Sequence, residues 1–407
     1  MKLLHTSDWH LGKRLGDFSR IHEQQAVMKE ICEIADNEKA DAVLVAGDLF
    51  DSFNPPAEAV DLFYKTLRKL SKNGSRPVIA IAGNHDSPDR IEAPDPLARA
   101  CGIIFAGYPH SVVATFGLDC GLQVTKNCKG FLELKLPGTD VPLRVLITPY
   151  ASEFRLKAYF GSENGSETIS SVLQEKWKEQ ADKFCDGQGV NVLVSHLFMI
   201  TRGDTLPEEP DDEKPIVHVG GAQVVFTENI PSQVQYTALG HLHRMHRAGD
   251  RPCPAYYSGS PLSYSFAEAS QKKYVLMVEV EPGQQAIVKP VELTAGRPLL
   301  RKRANGMDEA LQWLHENQDA MVELTLVSDT YLTAIDRKKL HSAHKGIVAI
   351  VPEITNADKL IGTCHKQIDL TKSMEDLFRE YFKHEKGQEP NADLINLFTE
   401  ILAEEEL

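Results

Sequence analysis

The sequence predicts an α/β fold in more than one domain, and three observations carry that reading. Short apolar, β-branched runs alternate with segments of helical period, so crossover units and a largely parallel sheet are expected at the start of the chain. Those runs end repeatedly in Asp, Asn or His. At 407 residues the chain also exceeds the roughly 250–300 residues at which one hydrophobic core stops growing.

"KLLHTSD" (2–8) reads as a strand, "EQQAVMKEICEIADNEK" (23–39) as a helix and "DAVLVAGDLFD" (41–51) as a strand. "AEAVDLFYKTLRKLSKNG" (57–74) is the next helix and "PVIAIAGNHDS" (77–87) the next strand. Further strand-like runs follow in "LRVLITPY", "NVLVSHLFM", "YTALGHLH", "PAYYSGSP" and "KYVLMVEVE"; their closer spacing points to mixed or antiparallel pairing. After "EVEPGQQ" the pattern restarts. "AIVKPVEL", "MDEALQWLHEN", "AMVELTLVS", "AIDRKKLHSAH" and "GIVAIVPEI" read as strand, helix, strand, helix, strand of a small second unit. At the end, Met374, Leu377, Phe378, Tyr381 and Phe382, then Leu394, Leu397, Phe398, Ile401 and Leu402, mark two amphipathic helices around a Gly/Pro turn. The expected domains are 1–281, 286–368 and 371–407.

Composition narrows the function. A hydrophobic fraction of 42% and a charged fraction of 25% are those of an ordinary water-soluble chain. The opening "MKLLHTSDWH" makes neither a signal peptide nor a membrane span, so a cytoplasmic location is expected. Seven cysteines without a C-x-x-C pair speak for reduced thiols, against a disulfide framework or a structural zinc module. The net charge of −14 does not suit a protein that coats nucleic acid through bulk positive field. A nuclease remains compatible with it, because metal ions supply positive charge locally.

The chemistry lies at the strand ends. "SDWH" contributes Asp8 and His10, "GDLFD" Asp48 and Asp51, "GNHD" Asn84, His85 and Asp86, "SH" Ser195 and His196, and "GHLH" His241 and His243. Any one of these has an ordinary reading as a turn, cap or solvated residue, and the other ten histidines are left in that class. Together they read differently, since the carboxyl ends of strands in an α/β sheet line one crevice. Imidazole, carboxylate and amide donors suit manganese or iron better than magnesium. Two metals need a bridging carboxylate, for which Asp48 is the candidate. Asp8, His10 and His243 then complete one site, and Asn84, His196 and His241 the other.

Two divalent ions against Asp8 and Asp48 leave a centre of about +2, which attracts a phosphate ester. An amide at Asn84 coordinates without removing that charge, as a carboxylate there would. A bridging water of lowered pKa between the ions is positioned to attack phosphorus in line.

The segments "LHTSDWHLG", "VAGDLFD", "AGNHDS" and "ALGHLHR" resemble the calcineurin-like metallophosphoesterase superfamily over roughly residues 1–245. With "SGSPLSYSF", they are similar to the SbcD-type bacterial repair nucleases over nearly the whole chain. The resemblance implies a metallophosphoesterase β-sandwich flanked by helices, a small α/β capping domain and a C-terminal helix pair. It implies a manganese-dependent DNA phosphodiesterase, a 3′-to-5′ exonuclease on duplex ends and an endonuclease on single strands and hairpins. It implies a homodimer working with the SbcC ATPase, whose long coiled coils the terminal helices would dock on, near the nucleoid. His85 would sit by the scissile phosphate, off the metals, and either stabilise the transition state or protonate the leaving oxygen, with Asp86 orienting it.

Two other readings stay open at the level of sequence: a phosphatase or cyclic-nucleotide phosphodiesterase acting on a small ester, and a scaffold that keeps metals but mainly grips DNA and partner. The acidic loop "TLPEEPDDEKP" (205–215) departs from what a DNA surface needs and is expected on a face remote from DNA, with a regulatory element as the alternative. Lys13, Arg14, Arg20 and Arg90 are candidates for phosphate contacts, with a solvated surface role as the alternative.

Overall fold

The computed structural model describes residues 1–151, 169–204, 224–330 and 332–355, together with 376–379, 381, 382, 390, 394, 395 and 398. The first expected elements form as read: β1 (Lys2–Thr6), α1 (Ile21–Asn37), β2 (Ala42–Ala46), α2 (Ala57–Ser71) and β3 (Val78–Ile81). Two short helices, α3 (Pro88–Glu92) and α4 (Asp95–Ala100), lead to β4 (Ile103–Ala106). These strands pair in parallel, Leu3 beside Ala42, Val43 beside Val78 and Val78 beside Ile103. On the other side β12 (Lys273–Glu279) runs antiparallel to β1, and β13 (Ile287–Leu293) is the edge, giving the order β13-β12-β1-β2-β3-β4.

A second sheet has seven strands. The hairpin β5 (Gln123–Cys128) and β6 (Phe131–Lys135) is followed by β7 (Leu143–Thr148), helix α5 (Ile169–Phe184) and β8 (Val190–His196). Then come β9 (Tyr236–Gly240), β10 (His246–Gly249) and β11 (Ala255–Tyr257). The order is β10-β11-β9-β8-β7-β6-β5, with parallel strands at the centre and antiparallel ones at both sides, the mixed pairing that the close spacing of the runs suggests.

Alternate side chains of a strand emerge on opposite faces, and both faces of each sheet are covered, which explains the near-continuous hydrophobic runs. Leu3, Leu44 and Ile79 of the first sheet meet Val145, Val192 and Ala238 of the second in a shared core. Their neighbours turn outward: Leu4, Val43 and Val45 pack against Val27, Met28 and Ile31 of α1. Leu146 and Leu193 pack against Leu173 and Trp177 of α5. The result is a sandwich of two sheets flanked by helices.

A third, smaller sheet carries β14 (Leu299–Asn305), β15 (Met321–Ser328) and β16 (Ile347–Ile354), with helices α6 (Met307–Glu316) and α7 (Ala334–Ala343). It has a core of its own in Leu314, Val322, Leu324, Leu326 and Leu340. Residues 286–293, which the sequence groups with this unit, instead supply β13 to the first large sheet. The half-exposed "IVKPVEL" holds a proline, which an edge strand tolerates and a central one does not. The hairpin β5–β6 and helix α5 escape the sequence reading, because β5 is mostly half-exposed and shows no clean alternation.

By contacts, residues 1–328 and 332–353 form one compact unit, and 329–331 with 354–407 a second. In the second, Asp376–Arg379, Tyr381, Phe382, Leu394, Ile395 and Phe398 are helical, and the rings of Phe378 and Phe398 stack at 4.2 Å, so the two apolar stripes meet there. The acidic loop 205–215 and most of 356–407 lie outside the described residues. No described helix is long and apolar enough to cross a membrane. Six described cysteines are all free thiols.

Two histidines assigned a solvated role are buried instead. His344 is held by Asn317 O and Gly346 N. His5 joins the sheets, its Nδ1 against the Tyr236 hydroxyl at 2.8 Å and its Nε2 against Leu239 O at 3.1 Å. Burial pushes its pKa from 6.5 down to about 3. The unfolded chain therefore takes up a proton at this residue before the folded one does, and stability is lost as pH falls from 6.5 toward 3. The slope contributed is at most about 1.4 kcal/mol per pH unit. His5→Asn is expected to flatten the difference between urea unfolding at pH 7 and pH 5; an unaltered slope would remove His5 from the pH dependence.

Candidate metal centre

Five strands deliver their carboxyl ends to one place: β1 leads into Asp8 and His10, β2 into Asp48, β3 into Asn84 and His85, β8 ends at His196, and β9 leads into His241 and His243. The turns are demanding. Asp8 (φ 52°), His10 (φ 43°), Asp48 (φ 48°) and His241 (φ 106°) all have positive φ, which costs a non-glycine residue on the order of 1 kcal/mol or more. Main-chain bonds hold them there: Asp8 N donates to Gly47 O at 2.9 Å, His10 N to Asp48 O at 3.0 Å, and His241 N to the Asp8 carboxylate at 2.9 Å.

Two glycines of the motifs are explained by close approach. A Cβ on Gly83 would overlap the Asp48 carboxylate, and one on Gly240 would overlap Ala46 O. The Ala46 carbonyl is the acceptor for His196 Nδ1 at 2.8 Å. The glycines thus let the two sheets bring their ends close enough for the side chains to meet.

Around Asp48 the candidates fall into two groups. His196 Nε2 lies 2.9 Å from Asn84 Oδ1 and 3.4 Å from Asp48 Oδ2, and His241 Nδ1 lies 3.1 Å from the same Asn84 oxygen. His10 Nε2 lies 3.5 Å from Asp48 Oδ2 and 3.0 Å from His243 Nε2, and donor atoms of Asp8, His10 and His243 all fall within 4.8 Å of one another. Asp48 Oδ2 therefore faces both groups, while its Oδ1 accepts from His85 N at 2.9 Å. Donor atoms of Asp8, Asp48 and His196, and of His10, Asp51 and His85, also fall within 4.8 Å of one another, so the expected donors come together around Asp48 as one continuous cluster.

The donor set fits divalent cations. With Nδ1 of His196 spent on Ala46 O, its Nε2 turns to oxygens of an amide and a carboxylate, and two imidazole nitrogens meet at His10 and His243. Each of these contacts can be bridged by one N–H proton, and a cation in place of that proton would meet imidazole, amide and carboxylate lone pairs. Burial pushes His10 down to about 4 and His241 down to about 3, so both rings are neutral at pH 7. Burial also opposes charge on His196, but the Asp48 carboxylate beside it prevails and raises it to about 9. Asp48 is held well below the carboxylate range against its burial, by His196, His10 and His85. A cation can replace the proton that His196 carries there.

His85 borders this cluster, its ring 4.9 Å from that of His10. The contacts that orient it are to the main chain: Nδ1 donates to Asp51 O at 2.9 Å. Asp86, expected to steady the ring, turns its two carboxylate oxygens to backbone N–H groups of Gly83 (2.8 Å), Leu49 (3.0 Å) and Phe50 (2.9 Å). Its influence on His85 runs through the loop 48–51 that it braces. Asp51 has no role in the sequence-based grouping, although "GDLFD" displays it; its carboxylate lies 3.7 Å from His10 Nδ1 and 3.0 Å from Lys13. Of the basic candidates Lys13 is at the cluster, whereas Arg20 is buried, its guanidinium on Glu23 and Ser263 O.

Asp86→Asn puts an N–H₂ group where a carboxylate oxygen accepts from buried backbone. A loss of about 2–3 kcal/mol of stability in urea unfolding is expected, as for unsatisfied buried groups. Unchanged stability would show that the brace contributes nothing.

The family model Calcineurin-like phosphoesterase matches residues 1–244, the span that carries every residue of the cluster. The SbcD component of nuclease SbcCD from Bacillus subtilis (strain 168) is 35% identical over 412 residues, covering 98% of this chain and 97% of that protein. The proteins of the same name from Rhodobacter capsulatus (30% over 310 residues, 75% of this chain and 72% of that protein) and Escherichia coli strain K12 (27% over 347 residues, 83% and 81%) are also similar. A phosphoesterase match over the metal-binding geometry and a relative matched end to end lead to one conclusion: this chain belongs to the calcineurin-like phosphoesterase family, among the SbcD components of SbcCD nucleases.

Proposed function

We propose that the protein is a two-metal DNA phosphodiesterase, the nuclease subunit of an SbcCD-type complex, cleaving duplex ends from 3′ to 5′ and single strands and hairpins internally. The observation that carries the reading is the convergence of six donor residues, from both sheets, around a seventh, Asp48, in a chain matched end to end by a nuclease subunit. Asp8, His10 and His243 would hold one ion and Asn84, His196 and His241 the other, with Asp48 shared. Manganese suits this mixture of imidazole, carboxylate and amide. When bound, such ions would polarise a phosphate and lower the pKa of a coordinated water.

The residues of the chain do the positioning. Asp48 keeps both halves in register through Oδ2 and fixes the His85 backbone through Oδ1. With Nδ1 held by Asp51 O, His85 has Nε2 available to a phosphate oxygen or the leaving group. Asn84 keeps the centre more positive than a carboxylate would, which favours a phosphodiester. Lys13 stands beside it as a further cation for the backbone of the substrate.

The small α/β unit and the terminal helices extend the chain beyond what hydrolysis of a small ester requires, and a relative matched over 97% of its length is a nuclease subunit. A cytoplasmic complex at the nucleoid, a homodimer and an SbcC-type coiled-coil ATPase partner complete the proposal. For docking on that partner the terminal stripes leave Tyr381 65% and Leu394 37% exposed. Residues 371–407 carry four basic side chains against ten acids, which suits a protein partner better than DNA.

The deciding experiment is manganese-dependent digestion of end-labelled duplex and hairpin DNA, with and without the ATPase, against a generic chromogenic phosphodiester. Cleavage of DNA in preference to the ester is expected; the reverse preference would favour a small-molecule esterase. His85→Gln is expected to retain metal while cleavage falls by about 10²–10⁴-fold, and unchanged cleavage would remove His85 from the mechanism. Deleting 371–407 is expected to spare single-strand cleavage and abolish co-purification with SbcC; binding that survives the deletion would overturn the docking role.

A further inference from the structure

The segment "SGSPLSYSFAE", Ser258–Glu268, has so far no chemical role, yet it is wrapped around the residues that would hold one metal ion. Ser258 Oγ lies 2.8 Å from Ser7 Oγ, which in turn donates to the Asp8 carboxylate. The Tyr264 hydroxyl donates to Trp9 O, between Asp8 and His10. The strongest set of contacts is on His243. Its carbonyl accepts from Ser260 N at 3.0 Å and from Lys273 Nζ at 3.1 Å, and its ring Nδ1 lies 3.5 Å from Glu268 Oε1.

Glu268 is 2% exposed and Lys273 7% exposed. A buried ion pair is a costly way to stabilise a fold, and apolar side chains of the same size usually do as well. Here the pair is fully tied: Glu268 Oε2 takes Lys273 Nζ and, at 3.3 Å, Ser260 Oγ, while Oε1 takes Tyr264 N at 3.1 Å and faces His243. Lys273 Nζ adds Ser260 Oγ at 3.0 Å. A carboxylate set against one ring nitrogen fixes the tautomer, so that the other nitrogen presents its lone pair to a metal. On the far side of the ring, His243 Nε2 is the atom that meets His10 Nε2 at 3.0 Å and clusters with Asp8.

We propose that Glu268 is a positioning residue for His243: anchored by Lys273 and Ser260, its buried carboxylate faces the Nδ1 edge of the imidazole at 3.5 Å, favours the tautomer protonated there, and so leaves the Nε2 lone pair for the half of the metal centre formed with Asp8 and His10. The proposal rests on the two-metal reading above. It assigns to the Ser258–Lys273 stretch the orientation of one of the two ion sites, while the Asn84–His196–His241 half is set by Ala46 O and Gly240.

The test uses the full chain stripped of metal by a chelator, titrated with Mn²⁺ by isothermal calorimetry, with thermal unfolding of the metal-free protein in parallel. Glu268→Gln alone would strand the Lys273 charge, so E268Q/K273M, which neutralises both partners, is measured beside it. The wild type is expected to bind two ions. Both variants are expected to bind one with wild-type affinity and the other about 10–100-fold more weakly, with the double variant unfolding at the wild-type temperature. Two ions bound with wild-type affinity in the double variant, or equal weakening at both sites in step with a lowered unfolding temperature, would overturn the positioning role. A wild type that binds no manganese would instead overturn the metal-centre reading itself.

Discussion

Everything at this site depends on the burial of the Asp48 carboxylate among imidazoles. A charged group taken out of water needs charge of the opposite sign or donors close by, and Asp48, 2% exposed, has His196 at 3.4 Å, His10 at 3.5 Å and the His85 N–H at 2.9 Å. In turn His196 is buried where a proton or a cation is welcome because Asp48 is there. The interaction joins strand ends of both sheets, so the sandwich cannot shift one sheet against the other without separating this pair.

The loops around Asp48 are strained and closely tied, and the two properties belong together. Positive φ at Asp8, His10, Asp48 and His241 aims each side chain inward at the cost of backbone energy that the sheets beneath can supply. The Gly47 and Asp48 carbonyls fix those loops main chain to main chain, the Asp86 carboxylate accepts from three backbone N–H groups, and the Asp51 carbonyl accepts from the His85 ring. Such rigidity lets a constellation of seven donors hold its geometry before any ligand arrives.

Much of this is legible in the sequence because strand ends are local. A β-branched run followed by G-D, G-N-H-D or G-H-x-H marks both the strand and the side chains at its end. Less can be read where partners are distant in sequence. Residues 287–293 look like the start of the small unit, yet pair with β12; His5 looks solvated, yet bridges the sheets to Tyr236 and Leu239, over 230 residues away. Asp86 beside His85 suggests a side-chain contact, whereas its carboxylate serves the backbone of Gly83, Leu49 and Phe50.

The sequence by itself determined the residue types and their order: which carboxylates, imidazoles and amide stand at strand ends, and hence a metal-dependent phosphoesterase. Only the tertiary structure decided what holds them, that Asp48 faces both halves, that Asp51 O orients His85, and that Glu268 and Lys273 lie behind His243. The reason is physical. Spacing along a strand dictates on which face a side chain emerges, but a hydrogen-bond partner is set by how two sheets pack, and that packing is written in the whole apolar core rather than in any motif.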